Sequence, residues 1–198
     1  MKVENDMKTV KKQSQIEFEE KKSKFIGYIK PIQNKEEAEK FIKEIKQKHP
    51  DATHNCSAYK VISEGQEYFK SDDDGEPSGT AGKPIGEIIN LMDVCNLVIV
   101  VTRYFGGIKL GAGGLVRNYA KTAKLAIMES DTEEYVKTKE FLLDFDYDKV
   151  QEVDQILKLD NIEVVEKNYG ERVTYRVNIP DEIEKKLETL FGVLLIEI

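Results

Sequence analysis

Two glycine-rich segments lie next to charged residues in this sequence, and their composition exceeds what folding alone requires. Residues 71–83 contain three consecutive aspartates, Glu76 and three glycines. Residues 102–119 contain five glycines together with Arg103, Lys109 and Arg117. Glycine adopts backbone angles that other residues avoid and leaves amide groups exposed, so such segments are candidates for ligand binding.

The second segment has the pattern of an anion-binding site. An apolar strand predicted at 97–105 leads into the glycines, and a helix is expected from about 115 to 129. A helix N-terminus presents free amide groups at the positive end of its dipole, and the basic side chains add formal charge. Tyr104, Phe105 and Tyr119 offer stacking surfaces. The candidate residues for nucleic-acid or anion binding are Arg103, Tyr104, Gly106, Gly107, Lys109, Gly111, Gly113, Gly114, Arg117 and Lys121.

Two other roles are compatible with the same glycines. They allow close packing of a strand against a helix, with the aromatic residues in the core, or they form a protein-binding surface. Neither the order G-x-G-x-x-G nor a Walker lysine is present. The residues alone therefore leave RNA or anion binding, packing and protein binding open.

The first segment is predicted to be a loop that a phosphate avoids. Three aspartates and a glutamate repel an anion, and the alternating ligands of a calcium loop are absent. An ordered polar loop is the favoured interpretation, and a protein-binding surface and, least favoured, a metal site are the alternatives. The candidate residues of this interaction loop are Asp73, Asp74, Gly75, Glu76, Pro77, Ser78, Gly79 and Thr80.

No catalytic constellation is evident. His54 and Cys56 lie two apart on a predicted strand and share one face, yet no second ligand cluster accompanies them, so a structural histidine and a buried thiol are expected. The alternating aspartates at 144, 146 and 148 are interpreted as a solvated face of a strand. We therefore predict no catalytic residue, no metal, no cofactor and no enzymatic activity.

Composition indicates a globular cytoplasmic protein. Of the 198 residues, 40% are hydrophobic and 34% charged, no signal peptide is visible, and the apolar run at 97–101 is too short to cross a bilayer. Two isolated cysteines suit a reducing compartment. Residues 1–130 contain 21 Lys and Arg against 19 Asp and Glu, whereas residues 131–198 contain 9 against 18. An anionic partner would therefore meet the first part of the chain.

The pattern of elements predicts two domains, residues 1–130 and 135–198, joined by the polar run at 130–134. In the first, strands are expected at 24–32, 54–62, 67–70 and 97–105, with a hairpin turn near 64–65. A helix capped by Asn34 and ended by Pro50, a short helix after Pro84 and the helix from about 115 complete it. In the second, residues 141–147, 162–168, 173–179 and 192–198 are predicted strands in the order βαββαβ.

Three blocks resemble the signatures of the IMPACT (YigZ-type) family: residues 54–59, residues 73–84 and residues 101–119. The last third is similar to a small domain of bacterial members, which itself resembles the last domain of elongation factor G. The resemblance implies an α+β protein, with an N-terminal ribosomal-protein-S-five-domain-2-like α/β domain and a C-terminal ferredoxin-like βαββαβ domain.

The resemblance also implies a role in translation. Eukaryotic relatives are regarded as regulators of translation under amino-acid starvation, which bind the co-activator of a kinase that phosphorylates an initiation factor. We expect this chain to bind RNA, the ribosome or a translation-associated protein, with no DNA specificity and no membrane. The alternative is a protein-interaction module that acts through the Asp- and Gly-rich loop without touching RNA. A small-molecule enzyme with a phosphate loop is the least favoured hypothesis.

Overall fold

The computed structural model describes residues 7–63, 66–160, 162 and 164–198, and it has a mixed α+β architecture. The chain divides into two compact units: the first ends at Tyr135, and the second comprises Val136–Ile198. Within the described ranges, no helix is both long and apolar enough to span a membrane.

The first unit is built on a five-stranded antiparallel sheet. Its elements, in chain order, are β1 (Lys8–Val10), β2 (Ser14–Glu20), β3 (Ser23–Pro31), α1 (Lys35–Lys48), β4 (His54–Ser63), β5 (Gln66–Asp72), α2 (Gly82–Leu91), β6 (Val94–Cys95), β7 (Leu97–Tyr104), α3 (Ala112–Glu129) and β8 (Thr132–Glu134). The large sheet has the order β2-β3-β7-β4-β5, and a small sheet has the order β6-β1-β8. The predicted turn at 64–65 lies outside the described residues.

Helices cover both faces of the large sheet. Its central strand, β7, is apolar at every position from 97 to 101, which suits burial on both sides. Ile99 and Val101 pack with residues of α2 and α3, whereas Val98 and Val100 pack with residues of α1. Alternate side chains of a strand point to opposite faces, so one run of apolar residues supplies both cores. The two helices that follow glycine-rich segments therefore lie on the same face.

Helix α1 follows the predicted capping. The side chain of Asn34 accepts a hydrogen bond from the backbone N–H of Glu37 at 2.9 Å, and the last helical residue precedes His49. Helices α2 and α3 both begin earlier than predicted, at Gly82 and Ala112. Glycine is a poor helix former, so the sequence pattern assigned Gly113 and Gly114 to the loop.

The second unit has four strands and two helices among its described residues. They are β9 (Lys139–Phe145), α4 (Val150–Leu159), β10 (Val164–Tyr169), β11 (Val173–Ile179), α5 (Asp181–Glu188) and β12 (Val193–Glu197). The sheet order is β10-β11-β9-β12, and its neighbouring strands are antiparallel. Leu143 and Tyr175 are buried at its centre. Tyr147, predicted on the inner face of β9, instead begins a 3₁₀ turn and is exposed.

The polar run predicted as an interdomain linker is part of the first unit. Ser130 is fully buried and its hydroxyl lies 2.7 Å from that of Ser14, while Thr132–Glu134 forms β8 and pairs with β1. A short polar strand on a small sheet leaves no hydrophobic signal in the sequence. Residues 136–138, which follow, are exposed and have no regular structure.

We therefore predict that trypsin cleaves first after Lys137, because exposed irregular backbone is the preferred site of nicking. The expected products are residues 1–137 and 138–198, each retaining a cooperative melt if the units fold independently. Mass spectrometry of a short digest measures the site, and Lys137→Ala serves as the control that abolishes it. Earlier cleavage inside α1 or α3 would contradict two independently folding units.

Candidate nucleic-acid interface

The two glycine-rich segments lie at the same end of the large sheet. His54, which begins β4, is paired in register with Arg103 near the end of β7. Residues 73–81, here the Asp/Gly loop, follow the end of β5 beside them. Residues 105–111, here the glycine turn, continue from β7 into α3. The two surfaces that the sequence offered as rivals are therefore neighbours on one unit.

Asp73 folds the Asp/Gly loop onto the start of α2. Its carboxylate accepts hydrogen bonds from the backbone N–H groups of Gly79, Ala81 and Gly82, at 2.7, 3.0 and 2.8 Å. Partial burial acts to raise the pKa of Asp73, but these three donors together leave that pKa below its usual value. The chain thus places its own anion at the N-terminus of α2.

Asp74 and Gly75 bind the loop to the rest of the sheet. The carboxylate of Asp74 accepts a hydrogen bond from Lys46 Nζ at 2.6 Å and another from the backbone N–H of Asn55 at 2.7 Å. Gly75 has a φ of +85° and lies over the ring of His54. Thr80 is buried, whereas the tip is exposed. The exposed tip consists of Gly75, Pro77 and Ser78.

Arg103, one of the predicted anion ligands, is an internal residue. Its side chain is 7% exposed, and Nη1 donates to Oε1 of Glu76 at 2.8 Å. The hydroxyl of Tyr119 donates to the same oxygen at 2.8 Å. Arg103 Nε is buried and makes no hydrogen bond to the described residues. Arg103 therefore connects the glycine turn to the Asp/Gly loop through a buried ion pair.

His54 and Cys56 do not form a nucleophile–base pair. Nδ1 of His54 donates to the backbone oxygen of Asp74 at 2.9 Å, and Nε2 lies 3.7 Å from Oε2 of Glu76. The Cys56 thiol donates to the backbone oxygen of Asp73, and burial raises its pKa far above its ordinary value. A thiol with a raised pKa is a poor nucleophile. No group of three or more His, Cys, Asp or Glu in the described ranges is arranged to hold a metal ion.

The glycine turn exposes most of its predicted site residues. Gly107 and Gly111 have positive φ angles of +86° and +73°, and Gly106 lies against the backbone of Lys22. Tyr104 is half-buried, with its hydroxyl 2.8 Å from Nδ1 of His49, and does not offer a free ring. Of the remaining predicted residues, Gly114 is buried. The exposed ones are Lys109, Gly113, Arg117 and Lys121.

The start of α3 carries positive charge with no acid to balance it. The first turn of α3 contains no acidic residue, and no side chain caps it. A Cβ atom added at Gly113 would lie 3.4 Å from Nη1 of Arg117, so this guanidinium folds over the first turn. A cation beside the positive end of a helix dipole opposes folding. The arrangement is the reverse of α2, whose start is occupied by Asp73.

A recess of about 210 Å³ opens beside this helix start. Its lining residues are Glu20, Lys21, Leu110, Gly114, Arg117, Asn118 and Lys121. Lys21 and Lys22, in the turn between β2 and β3, were missed from the sequence because no strand was predicted before residue 24. Their signal was the alternation of Ile16 and Phe18 with glutamates, which is typical of a strand leading into a turn.

Three cations line the recess, Lys21, Arg117 and Lys121, and two more, Lys22 and Lys109, are adjacent in sequence to lining residues; we call these five exposed residues the basic surface. None of them makes an ion pair within the part of the chain that the structure describes. Lys121 packs its ammonium over the ring of Phe18, 4.2 Å from the centroid. Among the residues that the structure describes, Glu20 is the one acidic residue lining the recess. The surface can therefore bind an anion with several donors at once.

Comparison with known proteins places these features in a family. A model of the Impact N-terminal domain matches residues 21–127. The IMPACT family member YvyE of Bacillus subtilis (strain 168) is 38% identical over 174 residues, which cover 88% of this chain and 80% of YvyE. The IMPACT family member YigZ of Escherichia coli (strain K12) is 32% identical over 161 residues, covering 81% and 79%. A crystal structure described only as a hypothetical protein has a TM-score of 0.70 at 28% identity, covering 99% of this chain and 98% of its own.

Fold and site define a two-unit α+β protein with a basic surface at one end of its first sheet. The chain belongs to the IMPACT family, because the family model spans more than half of it and relatives above 30% identity cover most of it. This confirms the resemblance drawn from the three sequence blocks.

Proposed function

We propose that this protein is a cytoplasmic regulator of translation that binds RNA or the ribosome through the basic surface of its first unit. The observation that carries the proposal is the uncompensated charge at the start of α3. Arg117 lies over the first helical turn, which contains no acidic residue, and Lys21 and Lys121 line the same recess. A cation at the positive end of α3 opposes folding, whereas it would favour contact with a phosphate backbone.

Membership of the family supports the link to translation, and the acidic second unit supports the assignment of RNA to the first. We infer that the first unit has the ribosomal-protein-S-five-domain-2-like fold that the family resemblance implies. We infer that the second is ferredoxin-like, since its strands run in the order β10-β11-β9-β12 with helices after the first and third in sequence. Both folds are found in proteins that contact RNA, which fits the proposal as an analogy only.

A second candidate function is protein binding through the tip of the Asp/Gly loop. Gly75, Pro77 and Ser78 are exposed there, while the charged groups of the loop are turned inward. The remaining exposed surface of this loop is small and offers no large side chain. Enzymatic activity is less favoured than either, because Glu76 is committed to Arg103 and Tyr119 and the pKa of Cys56 is raised by burial.

Replacing Arg117 by alanine tests the RNA proposal, because it should weaken RNA binding without lowering the melting temperature. Loss of one charge-assisted contact to phosphate, typically about 1.5–3 kcal/mol, should weaken binding roughly tenfold or more. The slope of log K against log salt should flatten by about one. The melting temperature should stay the same or rise, because a cation leaves the positive end of α3. Fluorescence anisotropy with a labelled RNA and with purified ribosomes measures the affinity, and Arg117→Lys should restore it only in part.

The matched control is Lys43→Ala, which removes an exposed charge from α1 on the opposite face of the sheet and should leave affinity unchanged. Glu20→Gln supplies the reverse test, since removing the one carboxylate of the recess should tighten binding by about two- to fivefold. If Arg117→Ala and Lys43→Ala weaken binding equally, attraction is non-specific and the basic surface is not the site. If neither RNA nor ribosomes bind, protein binding through the Asp/Gly loop takes precedence.

A further inference from the structure

One aromatic ring is held at the surface where the glycine turn begins. Phe105 is 45% exposed and belongs to neither hydrophobic core of the first unit. Its backbone N–H donates to the hydroxyl of Thr53 at 2.9 Å, which fixes the position of the residue. Single exposed apolar side chains are common on protein surfaces, so a role for this ring has to come from its surroundings. The core does not require this ring.

The ring is supported from one side by a guanidinium that cannot move away. The central carbon of Arg103 lies over the ring of Phe105, 5.5 Å from its centroid. Arg103 in turn is held by the buried carboxylate of Glu76. A cation over one face of an aromatic ring fixes its orientation and leaves the exposed part for a second planar group. Arg103 is thus a positioning residue for Phe105.

The supported ring lies next to the basic surface. Gly106, the residue after Phe105, packs so closely on Lys22 that an added Cβ would lie 1.8 Å from its backbone oxygen. Lys109 lies in the same glycine turn, and the next residue, Leu110, lines the recess. The other aromatic residues of this segment are unavailable, because Tyr119 is fully buried and the Tyr104 hydroxyl is bonded to His49. Phosphate-binding charges and one free ring therefore occur side by side.

We propose that Phe105 is a stacking platform for an unpaired base, so that the partner of the basic surface is single-stranded RNA. This inference rests on the proposed function, since it takes the lysines and Arg117 as phosphate contacts. In a duplex the bases stack on each other and leave no face for a protein ring, whereas unpaired bases stack on aromatic side chains. A groove of basic residues with an interleaved aromatic ring is the arrangement that binds single strands with little sequence preference.

The test is a titration of wild type, Phe105→Ala and Phe105→Trp with two labelled probes. One probe is an unstructured RNA of about 12 nucleotides, and the other is an RNA duplex of the same length. Phe105→Ala should weaken binding of the single strand roughly tenfold, while the salt slope stays that of wild type, because no phosphate contact is lost. Phe105→Trp should retain wild-type affinity. Duplex binding should be weaker and insensitive to residue 105.

Ile108→Ala is the control, because Ile108 is a similarly exposed apolar residue of the same turn that cannot stack. If Ile108→Ala costs as much affinity as Phe105→Ala, the contact is apolar and the stacking inference fails. A second outcome combines three results: single strand and duplex bind equally well, Phe105→Ala changes neither affinity, and Arg117→Ala weakens both. In that case the stacking inference fails while the proposed function stands. If wild type binds neither probe nor ribosomes, the proposed function fails, and this inference with it. If Phe105→Ala loses a protein partner after nuclease treatment while RNA affinity is unchanged, a protein covers the ring.

Discussion

Arg103→Ala should destabilise the first unit by about 3–5 kcal/mol, because it leaves the carboxylate of Glu76 buried without its cation. The side chain of Glu76 is only 3% exposed, so water cannot replace the lost partner. Tyr119 would remain as the donor to one oxygen. On this scale the melting temperature should fall by about 10 °C or more. Thermal melts followed by circular dichroism measure the change.

Arg176→Ala in the second unit is the matched control, because Arg176 forms an exposed ion pair with Glu140. Exposed pairs contribute at most about 1 kcal/mol, so this variant should melt within a few degrees of wild type. The double variant Arg103→Met with Glu76→Gln should lose less than the sum of the single changes, since neither residue is left charged and alone. A wild-type melt for Arg103→Ala, combined with a loss of RNA affinity, would instead restore Arg103 as a ligand.

Gly106→Ala should disturb the basic surface more than any single charge removal. The added Cβ would lie 1.8 Å from the backbone oxygen of Lys22 and 2.0 Å from its carbonyl carbon. Backbone atoms cannot rotate away as a side-chain end can, so the glycine turn and the turn between β2 and β3 must separate. Overpacking of this kind typically costs about 1–3 kcal/mol and at times more. Because both turns carry lysines of the basic surface, which we propose binds RNA, RNA affinity should fall by more than about tenfold.

The comparison variant is Gly113→Ala, a few residues along. There the nearest atom to the new Cβ is Nη1 of Arg117 at 3.4 Å, the end of a flexible side chain. Alanine is also a better helix former than glycine, so this variant should melt at or above the wild-type temperature. Thermal melts and RNA titrations of both variants measure the difference. Equal behaviour of Gly106→Ala and Gly113→Ala would mean that the two turns are not in contact.

The elements that sequence predicts here are those with local signals. Helix α1 has Asn34 at its cap, and strands β9 and β11 of the second unit alternate cleanly between buried and more exposed residues. Strands β1 and β8 escape prediction because each has three residues and pairs with a segment more than 100 positions away. Strand β2 carries only Ile16 and Phe18 as apolar residues, too few to stand out from a polar opening segment.

The residues of the candidate site also differ in whether a local sequence signal predicts their environment. Lys109 and Arg117, which have glycines as neighbours in the sequence, are exposed as expected, and their role as ligands stays a prediction. Arg103 is compatible with two roles at the level of sequence, an anion ligand or a brace to an acidic residue of the Asp/Gly loop, and its partner Glu76 lies 27 residues earlier with no local pattern to join them. Strand alternation held a partial clue, since Arg103 shares the face of Ile99 and Val101, which points into the core under α2 and α3.

The pairing of β1 has a consequence for the order of events during synthesis. Thr9 stands in register with Cys95 on one side and with Glu133 on the other. Strand β1 therefore pairs with segments of the first unit that are translated much later than itself. Hairpins such as β2 with β3 close as soon as they are translated, whereas contacts across such long stretches of chain form slowly. A nascent first unit therefore stays unfinished at its amino end until residue 134 has been added. Any chain interrupted before that point lacks β8, one of the two partner strands of β1, and so leaves one edge of β1 open.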